Sequence, residues 1–208
     1  MGVSLSASSC LSWPSSILKE NEGELINSLE SSPINPGEVI FLPYLSGERT
    51  PHNNPNAQGV FFGLRNQHGK NELTQAVLEG VAYAFSDCQQ VLMDAGTQIN
   101  KVSLIGGGSR SDLWAQIIAS VLERPMIRYE NSEMGPAMGA ARLAMLATNR
   151  GTIKEICKSP PIKEIIEPNT SGYEKCWPIE NRKYSTAMNW LVFLFANSNS
   201  FSNKLAMK

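Results

Sequence analysis

The clearest pattern in the chain is a run of apolar residues at helical spacing between residues 71 and 95. These apolar positions are three or four residues apart, which places them on one face of a helix. Asn71 is a suitable N-cap, Glu72 complements the positive end of the helix dipole, and Gly96 stands where helices commonly end. The pattern predicts a long amphipathic helix over 71–95.

Shorter apolar runs on either side of this helix predict strands, because glycine, proline or polar residues bound each of them. The predicted strands are 39–44, 59–64, 101–105 and 125–129, and two further helices are predicted over 111–122 and 137–148. Strands and helices therefore alternate through this part of the chain. The alternation predicts an α/β fold in which helices cover a sheet.

The flanking regions carry weaker patterns. Residues 4–38 are rich in Ser, Glu and Asn and predict one or two short helices interrupted at Pro14. Residues 150–180 predict a connection punctuated by prolines. A last helix is predicted over 181–195, before a polar tail.

Composition and charge narrow the classes of function. The 208 residues are 42% hydrophobic and 18% charged, with a formal net charge of −1, which is typical of a globular domain. Without a basic excess, the chain is not expected to bind nucleic acid or an anionic membrane. Every apolar run is shorter than the roughly 18 residues that a transmembrane helix needs.

The cysteines argue against a metal site. Cys10, Cys88, Cys157 and Cys176 are far apart in the sequence, and only two histidines accompany them. Scattered cysteines are typical of reduced thiols in a cytoplasmic protein. We therefore expect no metal ligands on this chain and a cytoplasmic location.

Three consecutive glycines between a strand and a helix form the strongest candidate for a binding site. Gly106, Gly107 and Gly108 follow the strand predicted over 101–105, and Ser111 stands at the start of the next helix. Glycine allows the backbone to approach a flat base or a phosphate, and the first N–H groups of a helix favour acceptors. An ordinary glycine-rich turn with a serine cap and no ligand is equally well supported by these residues. The segment matches neither a P-loop nor a dinucleotide-binding fingerprint.

A second run of small residues, over 135–144, predicts a helix that packs closely against a neighbouring backbone in the core. Such a helix would support the glycine-rich loop rather than touch a ligand.

The polar stretch 46–55 predicts a loop that contains Glu48, Arg49 and His52. These side chains could line a cleft, and Arg49 could pair with a phosphate or with Glu48. A solvated loop with a local ion pair explains the residues equally well. His52 is too isolated to be assigned as a general base, so no catalytic residue is identified.

Several of these segments match a known family. Residues 59–64, GVFFGL, followed after seven positions by 72–79, ELTQAVLE, resemble the second signature of the FGGY carbohydrate kinases. Residues 41–55 resemble the bacterial xylulokinases of that family. Residues 104–114 and 135–144 are similar to the family's adenosine-binding loop and supporting helix.

The resemblance implies a ribonuclease-H-like, actin-like ATPase fold with two α/β domains and a cleft between them. This chain would be the second domain. Residues 1–38 would be a helical connection from the first domain, 39–195 the nucleotide-binding domain, and 196–208 a polar tail.

The resemblance also implies ligands. ATP would bind through Gly106, Gly107 and Gly108, with Ser111 at the position of a contact to the base, where many relatives have asparagine. Mg²⁺ would accompany ATP, although no ligand for it is identified on this chain. The sugar would bind through the first domain, to which the catalytic aspartate also belongs.

The implied reaction of the full enzyme transfers the γ-phosphate of ATP to D-xylulose, giving D-xylulose 5-phosphate. This chain resembles a stretch that follows the catalytic aspartate, so we expect no turnover from these residues alone. Two alternatives stay open: a kinase for another sugar or polyol, and a non-catalytic nucleotide-binding remnant. The surface that would meet the first domain is expected to favour self-association, for instance as a homodimer.

Overall fold

The computed structural model describes residues 2–29 and 35–169 of the chain, so the helix predicted over 181–195 and the tail 196–208 lie outside the described residues. The described α-helices are α1 (Ser9–Leu18), α2 (Glu22–Asn27), α3 (Lys70–Asp94), α4 (Asp112–Leu122), α5 (Gly135–Ala147) and α6 (Ile153–Ile156). The described strands are β1 (Ile40–Leu42), β2 (Val60–Phe62), β3 (Val102–Leu104), β4 (Met126–Tyr129) and β5 (Ile162–Ile166). Two short 3-10 turns are Gly107–Arg110 and Ser132–Met134.

The described strands form two small sheets rather than one. β1 and β2 pair antiparallel, with Phe41 opposite Phe61. β3 and β4 pair parallel, and β5 joins β4 antiparallel. The predicted α/β fold is confirmed, but the connection predicted over 150–180 is wrong where β5 forms. β5 is a half-exposed strand between prolines, so its apolar pattern in the sequence is weak.

α3 is the centre of the core, with α1, α4 and β1 packed around it. Gly80 lies against β1, where a Cβ would overlap the carbonyl oxygen of Phe41. Trp114 reaches from α4 with only 2% of its surface exposed, and its indole Nε1 donates to the Leu78 carbonyl oxygen of α3 at 3.0 Å. α3 therefore fixes the positions of both β1 and α4.

The ends of α3 are set by the residues around Glu72 and Gly96. The N-cap is Gly69 rather than Asn71, and the Glu72 carboxylate accepts a hydrogen bond from the Gly69 N–H at 2.8 Å. Asn71 instead accepts from the Ser28 hydroxyl at 2.9 Å. Gly96 has a φ of 84°, so the predicted glycine end of the helix is confirmed. Although α3 has 25 residues, neither it nor any other helix in the described part is long and apolar enough to cross a membrane.

α1 continues through Pro14, so the predicted interruption is wrong. A proline inside a helix costs ~3 kcal/mol, because it removes a backbone hydrogen bond and clashes with the preceding turn. Here Cys10 and Leu11 are buried in the same core as α3, and this packing offsets the cost. The division of the chain at residue 38 stays a prediction, although the core includes residues from both sides of it.

α5 does not pack in the core, contrary to the prediction from its small residues. Within the described structure none of its residues is buried, and Leu143 is 69% exposed. A Cβ on Gly139 would have no described atom within 4 Å. The contacts of α5 lie at its start, where Gly135 faces the Ile105 side chain, and at Arg142, whose guanidinium donates to the Lys158 carbonyl oxygen at 2.6 Å. Small residues permit close packing, but they do not supply the apolar surface that drives it.

Candidate functional site

A cavity of about 700 Å³ lies between the N-terminal helices and the glycine-rich segment. Residues of α1 and α2 form one wall, including Leu11 and Ile26. The opposite wall contains Gly107, Gly108 and Trp114. This volume is within the range of ~300–1,000 Å³ that is typical of small-molecule sites.

Gly106 shapes the turn that leads into this wall. Its φ is 87°, a conformation that glycine adopts without strain. Its N–H donates to the Ser132 carbonyl oxygen at 3.0 Å, and its own carbonyl oxygen accepts from the Ser109 hydroxyl at 2.7 Å. The cavity lining includes the two glycines that follow but not Gly106 itself.

Gly107 and Gly108 differ in what surrounds them. A Cβ on Gly107 would meet no described atom within 4 Å, whereas a Cβ on Gly108 would lie 3.0 Å from the Trp114 ring. Gly108 therefore packs on the indole, and Gly107 presents bare backbone to open space. Backbone without a side chain lets a flat ligand approach closely.

Ser111 joins the glycine segment to α4. It is the N-cap of the helix, as predicted, and its hydroxyl oxygen accepts from the Trp114 N–H at 3.0 Å. The hydroxyl proton is then available for an acceptor on a ligand, since Ser111 also lines the cavity.

The rim of the cavity carries charge of both signs. The Ser12 hydroxyl donates to the Glu22 carboxylate at 2.9 Å. The Glu22 backbone N–H and this hydroxyl lower the pKa of the Glu22 carboxyl group. Arg110, which is exposed, lies on the other side of the cavity. Apolar walls, a free hydroxyl and a cation at the rim suit a ligand with a flat ring and a phosphate.

The loop over 46–55 is organised around the Glu48 carboxylate, which is almost fully buried. It accepts hydrogen bonds from the Ser4 hydroxyl at 2.9 Å, the Leu5 N–H at 3.1 Å and the Arg49 N–H at 2.7 Å. Glu48 thus holds the N-terminal segment against the loop. The cavity lining does not include it, so its role here is structural.

The other two charged candidates in this loop are also explained by local structure. Arg49 is exposed, and among the described contacts its backbone N–H rather than its guanidinium bonds to Glu48, so the alternative of an ion pair with Glu48 is not the arrangement found. The His52 Nε2 atom lies 3.1 Å from the Tyr44 hydroxyl. Burial lowers the pKa of His52, and the Glu48 charge opposes this.

Comparison with known proteins decides the family. Residues 6–148 match the model of the C-terminal domain of the FGGY carbohydrate kinases. The chain belongs to the FGGY family of carbohydrate kinases. Its α/β fold is that of the family's second, actin-like ATPase domain, as predicted.

Two bacterial relatives and one solved structure illustrate the likeness. The FGGY chain is 44% identical over 180 residues to the xylulose kinase of Escherichia coli K12 and 46% identical over 171 residues to that of Klebsiella pneumoniae. A xyloylose kinase from Brucella ovis superposes with a TM-score of 0.82 at 40% identity, covering 93% of this chain and 41% of that one. The E. coli and K. pneumoniae alignments cover 86% and 81% of this chain, but only 37% and 35% of the relatives. The chain thus spans little more than a third of their length.

The structure adds residues that the sequence alone did not single out. Ser8, Leu11 and Ile26 bring α1 and α2 to the cavity, and Trp114 forms its floor against Gly108. Nothing in the sequence indicates that α1 and α2 face the glycine-rich loop.

Titratable groups in the described part offer little for metal binding. No three His, Cys, Asp or Glu residues of that part are grouped closely enough to hold a metal ion. Cys10, Cys88 and Cys157 are free thiols, and burial raises the pKa of Cys10 to about 12 and that of Cys88 to about 11. Burial also raises the pKa of Asp87 to about 6. Because the described residues contain no such group of ligands, we assign none of them to Mg²⁺.

Proposed function

We propose that this chain is the nucleotide-binding part of a xylulokinase-like sugar kinase and that the adenosine portion of ATP or ADP occupies the 700 Å³ cavity. The observation that carries the proposal is the open wall at Gly107 in a chain whose residues 6–148 match the FGGY C-terminal domain. The domain division at residues 38 and 195 belongs to the same proposal.

Each residue of the wall has a distinct role in this proposal. Gly107 and Gly108 admit the flat base close to the backbone, and Trp114 supports them from behind. The Ser111 hydroxyl donates to a ring nitrogen of the base, and Arg110 approaches the phosphates. Gly106 keeps the turn in its left-handed conformation.

The full kinase would transfer the γ-phosphate of ATP to a hydroxyl of D-xylulose. Such a transfer requires a base near the hydroxyl, and bound Mg²⁺ would neutralise charge on the phosphates. We assign neither a base nor a Mg²⁺ ligand among the described residues, and the chain spans 37% of the E. coli xylulose kinase. We therefore propose that the 208 residues bind nucleotide but do not turn over sugar without the rest of the kinase.

A kinase for another sugar or a sugar acid is the second candidate. The observation in its favour is a gluconokinase of Bacillus subtilis that is 31% identical over 159 residues. Assays with xylulose, gluconate and glycerol, after addition of the remaining part of the kinase, distinguish the two candidates. A non-catalytic nucleotide-binding module would bind ADP and phosphorylate none of these acceptors.

The direct test is titration of the purified chain with ADP in a calorimeter, alongside a coupled assay of ATP consumption with xylulose. We expect weak ADP binding and no turnover. Gly107→Val is expected to weaken ADP binding at least about ten-fold, or ~1.4 kcal/mol, because the new side chain takes up space at the cavity wall.

The matched control is Gly139→Val, since a Cβ on Gly139 would likewise meet no described atom within 4 Å, and Gly139 lies outside the cavity. Unchanged ADP affinity in Gly107→Val would remove the glycine wall from the site. Turnover of xylulose by the 208 residues alone would contradict the proposal that these residues bind nucleotide but do not phosphorylate the sugar by themselves.

The described residues leave several large apolar side chains exposed. Trp13 and Ile17 on α1 are 40% and 57% exposed, and Phe62 on β2 is 57% exposed. We propose that this surface promotes a homodimer in the isolated chain. Sedimentation velocity at increasing concentration tests this, and a monomer at all concentrations would contradict it.

A further inference from the structure

We infer that Arg128 is a positioning residue for the nucleotide site: it holds the backbone of Ser111 in place from behind the cavity wall. The inference rests on the proposed function of that cavity. Arg128 itself is absent from the cavity lining, so its effect on a nucleotide would be indirect.

Arg128 connects three elements through one guanidinium group. It lies on β4 with 4% of its surface exposed. Its Nη1 contacts the Asp112 carboxylate at 2.6 Å and the Glu164 carboxylate of β5 at 2.5 Å. Its Nη2 donates to the Ser111 carbonyl oxygen at 3.3 Å. The first turn of α4 is thereby tied to the sheet behind it.

The Ser111 backbone connects these Arg128 contacts to the cavity. From the cavity side, the Ser111 N–H donates to the Gly108 carbonyl oxygen at 3.4 Å, and the hydroxyl caps the Trp114 N–H. From the rear, Arg128 holds the carbonyl oxygen. Since these contacts fix both ends of the residue, they also fix the direction of the hydroxyl that we propose to contact the base.

Stability alone does not account for this arrangement. The Arg128 side chain is 5% exposed, whereas those of Asp112 and Glu164 are 84% and 40% exposed, so water weakens both ion pairs. The Arg128 Nε atom is buried and has no hydrogen-bond partner among the described residues. Because both carboxylates reach water, they would stay solvated after Arg128 is replaced by an apolar side chain of similar volume, so stability should change little. Only arginine has a planar guanidinium fork that can contact a carboxylate and a carbonyl oxygen at the same time.

Arg128→Met tests the inference because methionine keeps the volume and removes the fork. We expect ADP to bind about ten-fold more weakly, a change of ~1.4 kcal/mol. We also expect the melting temperature to change little and the Trp114 amide to exchange with solvent faster. Arg128→Lys keeps the charge but not the fork, so it is expected to restore only part of the affinity.

Arg124→Met is the matched control. Arg124 follows α4 at its other end, where it donates to Gln89 and to the Ile99 carbonyl oxygen, and it does not line the cavity. We expect its ADP affinity to equal that of the wild type.

The outcomes separate this inference from the proposed function. Wild-type affinity in folded Arg128→Met would overturn the inference alone. If Arg128→Met does not fold, the comparison of Arg128→Lys with Arg124→Lys decides, and equal ADP affinity in both would overturn it. Absence of ADP binding by the wild-type chain would contradict the proposed function and this inference with it.

Discussion

The two halves of the described molecule use their residues differently. Helices α1 to α3, strand β1 and the loop over 46–55 bury apolar side chains together with the Glu48 and Glu79 carboxylates. Strands β3 to β5, with α5 and α6, leave large apolar side chains exposed, including Ile153 at 70% and Leu143 at 69%. Burial of apolar surface dominates folding free energy, so most of the stability of the described residues comes from the first half together with α4, which shares its core.

The comparison shows that glycines have different structural roles in this protein. At Gly80 the absent side chain allows a helix and a strand to touch, whereas at Gly107 and Gly139 it leaves open space. The same residue type thus marks close packing at Gly80 and an unfilled surface at Gly107 and Gly139. The free energy of unfolding of variants in the two regions tests whether one is closely packed and the other loosely packed.

Gly80→Ala is expected to have the largest effect. The new Cβ would overlap the Phe41 carbonyl oxygen, which belongs to a paired strand and cannot move freely. We expect a loss of ~3 kcal/mol or more in the free energy of unfolding, the upper part of the range for overpacked cores. Urea denaturation measures it. A loss below ~1 kcal/mol would show that α3 and β1 are not rigidly packed.

Glu48→Gln is expected to cost ~2 kcal/mol, because a neutral amide oxygen accepts from the Leu5 and Arg49 N–H groups more weakly than a carboxylate, and the NH₂ would replace the oxygen that accepts from the Ser4 hydroxyl. Glu38→Gln serves as the control. The Glu38 side chain is 66% exposed and pairs with Arg65 at the surface, so Glu38→Gln should lower the free energy of unfolding by less than ~1 kcal/mol. Similar losses in both variants would mean that the buried carboxylate does not hold the N-terminal segment.

Asp87→Asn is expected to stabilise the protein in a pH-dependent manner. Burial raises the pKa of Asp87 from its ordinary 3.8 to about 6 in the folded state, so the folded protein binds the proton more tightly than the unfolded chain. The favourable contribution of the protonated group is therefore complete below about pH 4 and is lost as the pH rises through about 6. Since Asp87 is only half-buried, we expect the asparagine variant to be more stable by ~1–2 kcal/mol at pH 8 and equal to wild type at pH 4. A difference that does not vary with pH would contradict this explanation.

Gly139→Ala is expected to have the smallest effect, and of opposite sign to Gly80→Ala. Gly139 is an exposed interior residue of α5 with free space around it, so alanine should add ~0.5–1 kcal/mol through lower backbone entropy in the unfolded chain. Thermal denaturation monitored by circular dichroism measures the change. Destabilisation would indicate that α5 packs more closely than its described surroundings show.

The sequence was sufficient to predict those elements that depend on residues close together in the chain. The apolar spacing of α3, the Ser111 cap and the glycine turn before α4 each depend on neighbouring residues, and the structure confirms them. The signature over 59–79 was sufficient for the family, which the match over residues 6–148 confirms.

Features that depend on distant contacts could not be predicted. The wall of the cavity around Leu11 faces Gly107 only because both segments pack through α3 and α4. Pro14 is tolerated because of tertiary packing, which overrides local propensity. The N-cap at Gly69 in place of Asn71 depends on the Glu72 side chain folding back. The exposure of α5 depends on which surfaces its neighbours offer.

Trp114 gives this protein an internal optical reporter. Its indole is sealed from water, bonded to the Leu78 carbonyl oxygen, and in contact with the glycine wall through Gly108. Its emission should therefore be blue-shifted and shielded from acrylamide, whereas that of Trp13, which is 40% exposed, should be quenched readily. In a variant that keeps Trp114 as its single tryptophan, a base entering the cavity would change the fluorescence directly, without any label.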